Sequence, residues 1–254
     1  MEKPISEAVI LMAGSGSRLV AGGHVLPKPL IQIAGRPVFS YLIDALQRAG
    51  IETVHIVTGR NRDELLKGLE PLVPGEMKLH PIHNPEWHKQ NGISVLAARS
   101  HVTAPFFLTM GDHLFQPSIV DLLLREAKPT ELNVAIDRKV DSIFDLDDAM
   151  KVQTHGDRVV RIGKDLPGYD AIDTGAFVCP LSFFDYLEQA KSRHAGSDCS
   201  LADGVSAMAK DEKVRAIDIG DGWWQDIDTP EMLAAAEKIL GDSSNLLTPG
   251  PAAP

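Results

Sequence analysis

The chain reads as an α/β protein: an open, mostly parallel, twisted sheet with helices on both faces and a small β-rich subregion. Three observations predict this. From Ala8 to Ile82, short apolar runs alternate with helical segments in the order β, loop, α, β, α, β. Phe106-Phe-Leu-Thr-Met110 is apolar except for one threonine, as expected of a central strand covered on both faces. The apolar run Ala8–Met12 ends in a turn built on Gly14 and Gly16. Together these make the plan Rossmann-like.

The elements follow in order. Val38, Tyr41, Leu42, Ala45, Leu46 and Ala49 share one helical face, and Gly50 ends that helix. Strands are expected over Val54–Thr58 and Lys78–Ile82, with a short helix over Arg62–Leu69 between them. Further helices are expected from Ser94 to Arg99 and from Ile119 to Glu126, and a strand from Leu132 to Ile136. Between Asp137 and Asp173, short β-prone pieces (Lys151–Gln153, Val159–Ile162) separate polar loops. They predict a subregion, about 137–175, built over one end of the sheet. Ala176–Val178 returns to strand. Phe183–Lys191 and Leu201–Lys210 read as helices and Val214–Ile219 as a strand. The closing helix, Glu231–Leu240, has Thr229 as N-cap and Pro230 at its first position. One catalytic domain is therefore expected over 1–240. The Ser-, Asn-, Gly- and Pro-rich tail, 241–254, is expected to be flexible.

Composition narrows the function. A formal net charge of −10 argues against nucleic acid or an anionic membrane surface as main partner. No apolar run is long enough for membrane insertion. Two cysteines without metal spacing, and a start lacking a secretory pattern, predict a cytoplasmic protein. A homodimer is compatible with the sequence and not required by it.

The chemistry gathers around the glycine turn. Backbone N–H groups can approach a phosphate closely where no Cβ intervenes. Arg18 offers a bidentate fork, and Lys28, between Pro27 and Pro29, offers a point charge. Leu19 stands where a dinucleotide-binding fingerprint needs its third glycine. Gly-Ser-Arg stands where a P-loop needs Gly-Lys-Ser/Thr. A triphosphate cradle of another kind is predicted. Asp112 follows the central strand directly, where open α/β sheets bind ligands, and can hold a hard cation. Asp226 and Asp228 alternate on an extended segment, which predicts that they face the same side. Gly92 permits close backbone approach, and Ser94 is placed to cap a helix.

Ala13-Gly-Ser-Gly-Ser-Arg18 with Pro27-Lys28-Pro29-Leu30 resembles the signature of nucleotidyltransferases that activate sugar and polyol phosphates. The resemblance implies an α/β enzyme that joins a nucleoside triphosphate to a phosphorylated alcohol and releases pyrophosphate, using Mg2+. It implies catalytic roles for Arg18 and Lys28, and nucleotide contacts from Met12, Ala13, Gly14, Ser15 and Gly16. Asn91, Gly92, Ser94 and Gly111 would lie against the nucleotide as well. Asp112 and Asp226 would hold the metal, with Asp228 less securely placed. Asn84–Ser94, Gly111-Asp112-His113 and the run from Lys164 to Gly175 are most similar to inositol-1-phosphate cytidylyltransferases. That implies CTP as donor, and Lys164, Asp173 and Gly175 near the acceptor.

Inositol-1-phosphate is the first expected acceptor. Phosphocholine or an aminoalkyl phosphonate comes second, since Trp223, Trp224 and Tyr169 could form an aromatic box with nearby acids. A sugar-1-phosphate is third. Leu246-Leu-Thr-Pro-Gly-Pro251 resembles the opening of phosphonate aminotransferases, as a fragment of a longer fusion would. A glycosyltransferase of related fold would show Asp-x-Asp after its central strand, where this chain has Asp112-His113-Leu114. A non-catalytic nucleotide-binding domain should lack one of the loop cations or metal acids, and all are present.

Overall fold

The computed structural model describes residues 5–14, 26–194 and 197–242. It is organised by a nine-stranded sheet. Strand β1 (Glu7–Met12) pairs in parallel with β4 (Thr53–Thr58), which pairs in parallel with β5 (Lys78–His83). Between β1 and β4 lie a small hairpin, β2 (Gln32–Ile33) with β3 (Arg36–Pro37), and helix α1 (Val38–Arg48). Helix α2 (Arg62–Leu69) leads to β5, and α3 (Asn91–Ala97) leads to β6 (Phe106–Met110). A short strand β7 (His113–Phe115) and helix α4 (Pro117–Glu126) follow, then β8 (Leu132–Asp137).

The later strands are β9 (Lys151–His155), β10 (Arg158–Gly163), β11 (Ala171–Cys179), β12 (Val214–Asp218) and β13 (Trp224–Asp226). Helices α5 (Phe183–Arg193), α6 (Leu201–Ala209) and α7 (Pro230–Asp242) complete the chain. The sheet order is β5-β4-β1-β6-β11-β8-β12-β10-β9. β6 is interior, as its apolar run predicts. The pairings make β10 and β11 run against the other strands, so the sheet is mostly parallel in direction.

Side-chain alternation along β1 sets the two layers. Val9 and Leu11 join a core with Ile93 and Val95 of α3, Phe183 and Leu187 of α5, and Val205 and Met208 of α6. Ala8, Ile10 and Met12 face the other way, toward α1, α2 and α4. A third cluster lays Leu233, Ala236 and Leu240 of α7 against Val38, Tyr41 and Leu114. Helix α1 ends as its glycine predicts. Gly50 has φ +86°, and the Ile51 N–H bonds to the Leu46 carbonyl at 3.0 Å. α7 starts at Pro230, where the Met232 N–H meets Thr229 Oγ1 at 3.3 Å.

The segment expected over the sheet end is part of the sheet. β9 and β10 pair antiparallel, β10 continues from β12, and β9 also bonds to β11. The far half therefore curls back on itself. Helix α3 starts at Asn91, earlier than its apolar period suggested, so Ser94 lies inside it and does not cap it.

Candidate active site

Two segments far apart in sequence meet at the end of β6. Gly111 turns the chain out of β6 so tightly that a Cβ there would lie 2.6 Å from Met12 side-chain atoms. Asp112 follows, then β7. β13 pairs antiparallel with β7, putting Asp226 opposite His113, and the Ile227 N–H donates to the Asp112 carbonyl at 2.9 Å. This small ladder brings Asp112 together with the Asp226–Asp228 segment.

Lys28 opens a single 3₁₀ turn, Lys28–Leu30, flanked by its two prolines. Its ammonium donates to Asp112 Oδ2 at 3.1 Å and also pairs with Asp228. Burial works against the charge on Lys28, but Asp112 and Asp228 outweigh it and hold its pKa above the ordinary value. The other Asp112 oxygen, Oδ1, lies 2.9 Å from His113 Nδ1. Burial alone would raise the Asp112 carboxyl, but His113 and Lys28 hold it well below the usual carboxylate range. His113 is buried, which disfavours its charge, yet the bond to Asp112 and the fields of Asp112, Asp226 and Asp228 raise its pKa. Its ring stacks on Trp224 with centroids 6.2 Å apart.

Asp226 stands differently from Asp228. Burial pushes its carboxyl up, and the neighbouring Asp228 and Asp112 add to that against the field of His113. Its Oδ1 accepts from Gln225 Nε2 at 3.1 Å. Asp226 was expected beside Asp112 at the metal, and the ammonium of Lys28 pairs with Asp112 and Asp228. Asp228 shares Lys28 with Asp112, whereas Asp226 lines a separate cavity. The donor set still suits a hard divalent cation, because carboxylates converge where an ammonium already sits between two of them. Among the described residues no group of three or more His, Cys, Asp or Glu forms a ready-made metal cluster. Such a cation would complete its shell with phosphate and water oxygens.

Two cavities flank this centre. The first, about 560 Å³, is lined by Met12, Ala13, Gly14, Lys28, Ser94 and Asp112, and also by Arg60 and Trp87. The second, about 440 Å³, is lined by His113, Asp173, Gly175, Trp223, Trp224 and Asp226. Asn91 and Met110 line both. Gly111 belongs to the first cavity.

Other expectations fare differently. Ser94 Oγ accepts from Asn84 Nδ2 at 3.0 Å, so its hydroxyl is held from within the protein. Asn91 Oδ1 accepts the Leu201 N–H at 2.7 Å. Gly92 does permit close approach, but of the protein itself: a Cβ there would lie 2.6 Å from the Cys199 carbonyl oxygen. Lys164 pairs with Asp148 of the second cavity's wall. Gly175 has φ +78°, and a Cβ there would lie 2.5 Å from His113 Nε2. Ser15, Gly16 and Arg18 lie outside the described residues, as does the tail beyond Asp242.

The sequence left His113 without a role, although it follows Asp112 directly. It also passed over Arg60, Asp137 and Lys139. Asp137 is fully buried and accepts from Trp224 Nε1 at 3.0 Å and from Lys139 Nζ at 2.8 Å. The end-of-strand position of Asp137 was the one available signal.

Comparison with known proteins gives the family to which this fold belongs. Residues 8–213 match the MobA-like NTP transferase domain, and the chain belongs to that family. It is 32% identical over 234 residues to a bifunctional IPC transferase and DIPP synthase of Rubrobacter xylanophilus, covering 92% of this chain and 51% of that protein. It is 31% identical over 247 residues to a CMP-5'-(3-aminopropyl)phosphonate synthase of Streptomyces rubellomurinus, covering 88% of this chain and 37% of that one. The inositol-1-phosphate CTP transferase from T. maritima superposes with a TM-score of 0.79 at 27% identity, over 94% of this chain and 98% of that one. The chain spans about half the length of the bifunctional relatives it matches. Among the described residues no helix is long and apolar enough to cross a membrane.

Proposed function

We propose that the chain transfers CMP from CTP to a small acceptor bearing a phosphate or phosphonate, with release of pyrophosphate. The observation that carries this is the pair of cavities meeting across Lys28, Asp112 and His113. One takes the nucleotide and the other the acceptor, so an acceptor oxygen can reach the α-phosphorus. Relatives named for CTP or CMP chemistry support cytidine as the base.

The residues do the following. Lys28 turns its charge onto the triphosphate, where negative charge builds on the leaving group. Ala13 and Gly14 bring backbone against the phosphates, and Arg18 would add its fork. Asp112 and Asp228, with Asp226 beside them, would hold Mg2+, which neutralises and clamps the triphosphate when bound. An ionised acceptor is already nucleophilic, so no general base is needed. The protein contributes position and charge. The new bond forms between the acceptor oxygen and the α-phosphorus as the bond to the β-phosphate bridge breaks.

A polyol phosphate, with inositol-1-phosphate first, is the acceptor that the IPC transferase relatives suggest. An amine-bearing phosphonate is the second reading, favoured by the Streptomyces relative and by the acidic, aromatic second cavity. The direct test is pyrophosphate release with CTP, ATP, GTP and UTP at equal concentration. CTP should win. A clear win for another base removes the cytidylyl assignment and leaves the transferase class.

A further inference from the structure

Strands β7 and β13 are three residues each, and their ladder decides which side chains stand beside Asp112. Trp224 and Asp226 share one face of β13, and Gln225 lies on the other. A slip of one residue would turn Trp224 and Asp226 away and bring Gln225 in their place. Bonds between Gln116 and Trp223 lengthen the ladder by one step and still leave it short. Two strands alone are marginal in water, so a ladder of this size needs a brace from outside to hold its register.

Asp137 supplies that brace. It ends β8 and is 2% exposed. Its Oδ2 accepts from Trp224 Nε1 at 3.0 Å. Its Oδ1 accepts the backbone N–H and the Nζ of Lys139, both at 2.8 Å. Lys139 Nζ reaches on to the Gly220 and Gly222 carbonyls at 2.6 and 3.3 Å, in the turn that leads into β13. One buried carboxylate thus holds β13 twice, by its indole and, through Lys139, by the turn that feeds it. Asp137 lines the second cavity, yet both of its oxygens are taken by donors of the protein itself. The indole it holds lies nearly parallel to the His113 ring, at 15° and 6.2 Å between centroids. His113 Nδ1 in turn lies 2.9 Å from Asp112 Oδ1.

We propose that Asp137 is a positioning residue for transfer. It fixes the register of β13, and so the places of Asp226 and Asp228, and through Trp224 and His113 it steadies Asp112, without touching substrate. This rests on the transferase reading and adds a residue to it. A hydrogen bond to an ionised carboxylate is strong and directional, and the indole N–H, a donor only, meets Asp137 in one register of β13 and not in the slipped one.

The test reads pyrophosphate release by the full chain with CTP and Mg2+. The acceptor is whichever of inositol-1-phosphate, phosphocholine and 2-aminoethylphosphonate the unaltered protein uses fastest. Each variant is assayed well below its melting temperature. Asp137→Ala should lower kcat by about 10- to 100-fold and leave the KM for CTP close to the parent value. Asp137→Asn, whose amide oxygen can still accept from Trp224, should recover part of that loss. Trp224→Phe keeps a ring beside His113 and removes the donor. It should lower kcat too, and adding it to Asp137→Ala should cost little more than Asp137→Ala alone. The Trp224 indole proton, identified by its loss in Trp224→Phe, should exchange with solvent slowly in the parent and fast in Asp137→Ala. A lower melting temperature with parent kcat would make Asp137 a stability residue alone and overturns the inference. A raised acceptor KM with unchanged kcat would mean direct contact with the acceptor and overturns it as well. If Asp137→Ala does not fold, Trp224→Phe decides, and parent kcat in that variant overturns the inference. In each of these cases the transferase reading stands. CTP left intact by the unaltered protein with every acceptor overturns both.

Discussion

Lys28 and Asp112, 84 residues apart in sequence, meet with 3.1 Å between ammonium and carboxylate, and Asp228 completes the contact from the other side. The ammonium thus occupies a space between two carboxylates that also suits a divalent cation. With nucleotide bound, Lys28 is expected to pass from the acids to the triphosphate.

Replacing Lys28 should therefore act on two observables. Lys28→Ala should lower turnover by about 10²–10³, a typical loss for one electrostatic stabiliser. In the absence of nucleotide the same change should strengthen Mn2+ binding, followed by its paramagnetic resonance signal, because Asp112 and Asp228 lose their internal cation. Unchanged turnover in a folded variant would remove Lys28 from the phosphate cradle.

Asp112, Asp226 and Asp228 can be separated by turnover measured against Mg2+ concentration. Asp112→Asn and Asp228→Asn should each remove most activity. Their double variant should cost little more than either alone, since residues acting as one unit are strongly non-additive. Asp226→Asn should differ by raising the acceptor KM as well, because Asp226 lines the second cavity, the one proposed for the acceptor. Losses at Asp112 and Asp228 that simply multiply would mean that the two do not share a cation.

Gly175 holds its turn against His113. Gly175→Ala would place a methyl 2.5 Å from His113 Nε2 at φ +78°. It should lower both the thermal midpoint and acceptor use, with CTP binding largely kept. A variant as stable and active as the parent would mean that the turn is free to move.

Asp173 gives a pH test with a definite sign. Its carboxyl is pushed from 3.8 in an open chain to about 7 in the folded one, by burial. Between those values the folded chain keeps a proton that the unfolded chain has lost. This group's contribution to stability therefore falls as pH rises through that window. Asp173→Asn removes the dependence. Its thermal midpoint relative to the parent should rise by about 2–4 °C or more from pH 4.5 to pH 8. A constant difference across that range would mean that Asp173 is not held in this environment.

Much of the fold was legible because it rests on local periodicity. Arg62–Leu69 and Phe106–Met110 have the predicted ends, and α1 stops where its glycine says it should. Pairing between distant short pieces left no such trace. β7 and β13 are three residues each, too short to show a period, yet their ladder sets the position of Asp226. The start of α3 was misplaced because Gln90 offers no capping side chain there. Gly92 was a true sign of close approach, but a glycine does not say what approaches, and here it is the Cys199 backbone. At the candidate site, the partnerships between side chains were not legible. Which of Asp226 and Asp228 meets Lys28 depends on where β13 ends.

Transfer itself is tested most directly by mixing the purified chain with CTP, Mg2+ and a set of acceptors that includes inositol-1-phosphate, phosphocholine and an aminoalkyl phosphonate, and following pyrophosphate together with the phosphorus resonances of the product. Pyrophosphate should appear in step with a CMP-linked diester or phosphonate ester, at equal amounts, and only when an acceptor is present. CTP that stays intact with every phosphate and phosphonate offered would contradict nucleotidyl transfer at this site.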